Sequence, residues 1–140
     1  MSETGREFLE RLMAGPGASA FGQSLGMRLI ALGEGSAVFE VRPGPQHLNP
    51  MGAVHGGLHA ALMDSAMGCA VQSLMPAGAA YGTVDLKVSY VRRITVETGR
   101  ILCRGQIIHF GRRVQTAEAR IEDEAGKLYA HGSGTFMRSD

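Results

Sequence analysis

The run NPMGAVHGGLHAALMD, residues 49–64, gathers the residue types that can do chemistry. Asn49 stands in a polar loop, His55-Gly56-Gly57 opens an apolar stretch, His59 lies one turn further in, and Asp64 follows among Leu62, Met63, Ala66 and Met67. Paired glycines at a helix start leave backbone N–H groups free, with no Cβ to block a ligand, and the helix dipole favours negative charge there. An oxyanion needs that environment, so Gly56 and Gly57 are candidate contacts for a polarised carbonyl. A carboxylate in an apolar helix is costly unless paired or used, which singles out Asp64. Asn49 can orient a carboxylate, a water or a carbonyl. Each also has a plain structural use: a tight junction for the glycines, a buried ion pair for Asp64, a turn before proline for Asn49. His55 and His59 have the i, i+4 spacing of metal ligands. No Glu stands between them in the metalloprotease pattern and no third ligand is evident, so no metal is expected.

These groups need a scaffold, and hydrophobic periodicity supplies its outline. Residues 4–14 place Phe8, Leu9, Leu12 and Met13 at helical spacing before a GPG break. Residues 26–32 and 36–42 read as strands around a GEG turn, and residues 43–50 as a proline-interrupted loop. A long helix over 57–74 carries Leu58, Ala61, Leu62, Ser65, Ala66 and Cys69 on one stripe. Val84, Leu86, Val88 and Tyr90 then alternate with polar residues in a half-buried strand. Strands over 99–110, 114–122 and 127–137 follow across short turns, which predicts an antiparallel meander. One small-residue helix cradled by a curved antiparallel sheet is an α+β arrangement. A single domain over 1–140 is expected, with a helical segment in residues 1–21.

Composition narrows the function. Lys and Arg number 14 against 13 Asp and Glu, a formal charge of +1, which argues against nucleic-acid binding through bulk charge. The polar, acidic start MSETGREFLE lacks the pattern of a signal peptide, and residues 58–75 carry His59, Asp64 and Gln72, unlike a membrane span. Cys69 and Cys103 lie far apart with no CxxC partner and read as core thiols. A cytoplasmic protein, with neither membrane nor nucleic-acid partner, is expected.

The spacing N-x-x-G-x-x-H-G-G-x-x-x-x-x-x-D, met by Asn49, Gly52, His55, Gly56, Gly57 and Asp64, resembles the signature of PaaI-type acyl-CoA thioesterases of the hotdog-fold superfamily. The resemblance runs from about residue 22 to 137 and includes GTVDLKVSYVRR, GRRVQTAEARI and GKLYAHGSGTF. It implies a hotdog fold, a long central helix wrapped by a curved antiparallel sheet, and hydrolysis of an aromatic or medium-chain acyl-CoA to free acid and CoA. It assigns the carbonyl-polarising N–H to Gly56 and the general base or nucleophile to Asp64. Asn49 would hold the thioester or water, Thr83 would position the water, and His55 belongs to the same catalytic group. Family members commonly have Pro after the Arg that follows the Tyr strand, where this chain has Arg92-Arg93. A hotdog domain that binds acyl-CoA as a sensor, without turnover, is the alternative.

The resemblance also implies a substrate site. Met51, Val54 and Leu58, with Met63 or Met67 of a second chain, would line the acyl pocket beside Gly57. Arg92, Arg93, Arg112 and Arg113 are candidates for the phosphates of coenzyme A, which is substrate rather than cofactor. Gly56 and Asp64 are eight residues apart, about 12 Å along a helix at 1.5 Å per residue. Both must lie within roughly 3 Å of one reacting group. A homodimer is therefore expected as the minimal active unit, with Asn49 and Gly56 of one chain facing Asp64 and Thr83 of the other, and a homotetramer as the assembly.

Overall fold

A computed structural model describes residues 3–140 of the chain. Helix α1 spans Gly5–Ala14 and α2 spans Ala20–Ser24; strands β1 (Arg28–Gly33) and β2 (Ser36–Val41) lead to the long helix α3 (Gly56–Gln72). Four strands of ten or eleven residues follow, β3 (Tyr81–Tyr90), β4 (Ile101–Phe110), β5 (Val114–Asp123) and β6 (Leu128–Arg138). They form one antiparallel sheet in the order β1-β2-β4-β5-β6-β3, with α3 packed across it. This is the α+β hotdog arrangement.

The meander is only partly realised. Strands β4, β5 and β6 are consecutive neighbours, but β3 pairs with β6 at one edge, while β4 pairs with β2. The alternation in 84–90 fixes which side chains share a face, not which strand lies alongside. At that edge Val84, Leu86 and Tyr90 are exposed in the chain rather than half-buried. The helical start of the chain also extends past residue 21, because Ser19 caps the five-residue α2 by accepting the Gly22 N–H.

Helix α3 touches the sheet through a different stripe from the expected one. Leu58, His59, Leu62, Met63, Ala66, Met67, Ala70 and Val71 are buried, whereas Ala61, Ser65 and Cys69 lie on the flank. Small residues set the distance: a Cβ on Gly105 of β4 would run into the Ala66 carbonyl. The core around this contact includes Leu29, Phe39, Ile101, Cys103, Ile121 and Phe136. The Cys103 thiol is pushed up by burial alone.

Helix α1 opens with a capping box, in which Thr4 Oγ1 accepts from the Glu7 N–H at 3.1 Å and Glu7 Oε1 accepts from the Thr4 N–H at 2.8 Å. Such a cap contributes about 1 kcal/mol. The Gly5 N–H donates to the Met75 carbonyl at 3.0 Å, which docks α1 against the chain leaving α3. The N-terminal helices thereby lie alongside the flank that carries Asp64.

Candidate active site

The loop before α3 is folded by its own polar groups. Asn49 Oδ1 accepts from the N–H groups of Met51 (2.9 Å) and Ala53 (3.1 Å), and Gly52 takes φ 86°, the left-handed conformation that favours glycine. The Asn49 carboxamide NH2 has no partner among the described residues. His55 is the N-cap of α3: its Nδ1 accepts the Gly57 N–H at 2.8 Å, which leaves Nε2 as the ring N–H on an exposed side chain.

Gly56 is the first residue of α3, and its N–H has no partner among the described residues. The Tyr90 hydroxyl donates to the Gly56 carbonyl at 2.8 Å, and a Cβ on Gly56 would stand 2.9 Å from that oxygen. Tyr90 also meets the His59 ring edge-on at a centroid distance of 4.9 Å. His59 is buried, and burial holds its imidazole below the usual range, only partly offset by the His55 carbonyl at 3.3 Å. His55 and His59 thus point to separate tasks, one capping the helix and one packing beneath Tyr90. Sequence patterning did not single out Tyr90 for this role, since an aromatic on an edge strand carries no distinguishing mark.

Asp64 lies half-buried two turns further along α3, where it too meets β3. The Thr83 hydroxyl donates to Asp64 Oδ1 at 2.8 Å. A bulge interrupts the β3–β6 ladder between Thr83 and Asp85 and bends the strand where this contact forms. The pair stands at the wall of a cavity of about 350 Å³, bordered by Phe8 and Leu12 of α1, Gly22 of α2, Gly68 of α3, and Tyr81 and Phe136 of the sheet. That volume is at the lower end of the range of about 300–1,000 Å³ for small-molecule pockets. The Cys69 thiol on the same wall is pushed up to about 12, by burial first and then by the Asp64 charge. The Tyr81 hydroxyl, raised chiefly by burial, donates to the Gly68 carbonyl at 2.8 Å.

Of the apolar residues expected around an acyl group, Val54, Leu58, Met63 and Met67 belong to one buried cluster, and Met51 stands apart from it. Met67 and Met63 are fully buried against the sheet, Leu58 and Val54 are closed into the core, and Met51 is 81% exposed. Gly57, exposed, borders a separate depression with Leu58 and His55. Arg92 and Arg93 edge a depression of about 340 Å³ that includes Gly56, His59 and Tyr90, and Arg93 Nη2 donates to the Met51 carbonyl at 3.2 Å. Arg112 and Arg113 lie elsewhere, in a basic depression of about 250 Å³ with Arg138 and Asp140.

The sequence model of the Thioesterase superfamily matches residues 51–130. The 1,4-dihydroxy-2-naphthoyl-CoA hydrolase of Listeria monocytogenes is 25% identical over 107 residues, 76% of this chain and 85% of the relative. A conserved protein of Pseudomonas aeruginosa has a solved structure that matches with a TM-score of 0.81 and 31% identity, covering 87% of this chain and 95% of the other. A variant of the phenylacetic acid degradation protein PaaI from Thermus thermophilus matches with a TM-score of 0.77 and 29% identity, over 85% of this chain and 98% of that one. No helix of the described residues is long and apolar enough to cross a membrane.

Proposed function

The chain belongs to the thioesterase superfamily, and from that premise we propose that it hydrolyses the thioester of an aromatic or medium-chain acyl-CoA at Asp64. The observation that carries this reading is the Asp64–Thr83 pair, a carboxylate held by one hydroxyl at the wall of a largely apolar cavity. A carboxylate so placed can take a proton from water as the water oxygen attacks the carbonyl carbon, or can attack that carbon itself. By the first route the C–S bond then breaks, the proton passes from the carboxylic acid to the departing thiolate, and free acid and CoA result. By the second the thiolate leaves an acyl anhydride on Asp64, which water hydrolyses to free acid and the restored carboxylate, with the released proton going to the CoA thiolate. The negative charge that develops on the carbonyl oxygen needs a donor, and the unpartnered Gly56 N–H at a helix start is suited to it.

These two groups lie too far apart on one rigid helix, so the donor is the partner's Gly56, with the partner's Asn49 beside it. The exposed apolar edge strand β3, with Val84 54% and Tyr90 56% exposed, supports a second copy at this edge. Arg92 and Arg93, next to Gly56, are then placed to meet the phosphates of CoA at the mouth. Thiol release measured over a panel of acyl-CoAs tests the reading. At least one ester should turn over, and Asp64→Asn should lower its kcat by about a hundredfold or more with little change in KM. Binding of several esters without turnover of any would make the chain a sensor instead.

A further inference from the structure

Most interior glycines of this chain have a visible steric reason. A Cβ on Gly5 would strike the Gln72 carbonyl, on Gly105 the Ala66 carbonyl, and on Gly132 the Lys87 carbonyl. Gly68 has none. It lies in the middle of α3, is buried, and has no positive φ. A Cβ there would meet only Tyr81 Oη at 3.5 Å and Phe136 Cε2 at 3.8 Å, ordinary contact distances. Glycine in a helix interior is destabilising relative to alanine, so the chain carries a cost that its own packing does not require. Gly68 does face one thing, the cavity that begins at Asp64 and Thr83, one helical turn away.

We infer that Gly68 is a specificity-determining residue, whose missing side chain leaves the space that the acyl group occupies beyond Asp64. The inference rests on the reading of Asp64 as the hydrolytic carboxylate. The opposite wall comes from the N-terminal helices, through Phe8 and Leu12 of α1 and Gly22 of α2. Acyl groups that stop short of Gly68 would not sense a methyl group there, and those that reach it would collide with one. The aromatic side chains Phe136, Tyr81 and Phe8 that line the cavity suit an aromatic ring or a medium aliphatic chain.

Gly68→Ala tests this with acetyl-, butyryl-, octanoyl- and phenylacetyl-CoA, scored by kcat/KM. Acetyl-CoA should change by less than about twofold, while the esters that reach Gly68 should lose tenfold or more, chiefly through KM. The variant should also melt roughly 2–4 °C higher, because a helical glycine has been replaced. An equal loss on all four esters or a dimer that falls apart on sizing would assign Gly68 to chain packing, and an unchanged profile would leave it no part in specificity; each overturns the inference. If the parent hydrolyses none of the esters, the thioesterase reading fails separately. Dissociation constants of the same four ligands then decide the matter: selective weakening of the larger ones supports the pocket, and uniform weakening refutes it.

Discussion

Mixing two inactive chains is the sharpest test of a site shared between protomers. Asn49→Ala removes the carboxamide from the loop beside Gly56, and Asp64→Asn removes the base while keeping its shape. Gly56 and Asp64 are eight residues apart on α3, an axial separation of about 12 Å. A carbonyl within roughly 3 Å of each can bridge only about half of that span. On the proposed reading each site takes Asn49 from one chain and Asp64 from the other. When equal amounts exchange at random, the chance of an intact pair at any site is about one half squared, so about a quarter of parental activity should return. The assay is thiol release on the best ester after subunit exchange, with exchange followed by native mass spectrometry. Either variant alone should stay near its own background. Confirmed exchange without recovery would mean that one chain supplies both groups, and the helix geometry would be wrong.

Three further outcomes follow from the same contacts. Thr83→Val keeps the shape but removes the hydroxyl 2.8 Å from Asp64 Oδ1; a bond to a charged group contributes about 1.5–3 kcal/mol, so kcat should fall about tenfold or more, and an unchanged kcat would take Thr83 out of the site. His59 is held below its ordinary value by burial, so the unfolded chain protonates first. Its share of stability is complete above about pH 6.5 and is lost as pH falls towards the folded value. Urea midpoints should therefore drop between pH 7 and 5 more steeply in the parent than in His59→Phe, and parallel curves would refute this. Charge removal at Arg92 or Arg93 should raise KM for acyl-CoA, with an effect that shrinks in salt and vanishes on a truncated thioester lacking the nucleotide; equal losses on both substrates would point to folding instead.

The motif from Asn49 to Asp64 was legible because its chemistry is local: a loop, a helix start, and a carboxylate out of place among apolar residues. Strands β4 to β6 were legible for a similar reason, since alternation and short turns carry both register and neighbour. The position of β3 was not, because a strand's alternation is the same whichever strand it joins. Nor was the buried face of α3, whose Ala, Gly and Met residues make it apolar on nearly every side and leave periodicity little to report. The cavity wall from Phe8, Leu12 and Gly22 joins segments more than forty residues from Asp64 in the chain.

The bulge in β3 bears on how this chain can tolerate change. Losing one residue from a strand ordinarily throws everything beyond it onto the wrong face. Val84 is an exception, because Thr83 already faces Phe136 and Asp85 already faces Thr135, the next residue along β6. Deleting Val84 would close the ladder without reversing a single downstream side chain. The sheet would straighten where Thr83 now leans onto Asp64. A single-codon deletion here would leave a protein that folds while drawing its hydroxyl away from the carboxylate, so folding and turnover can part at this one position in the strand.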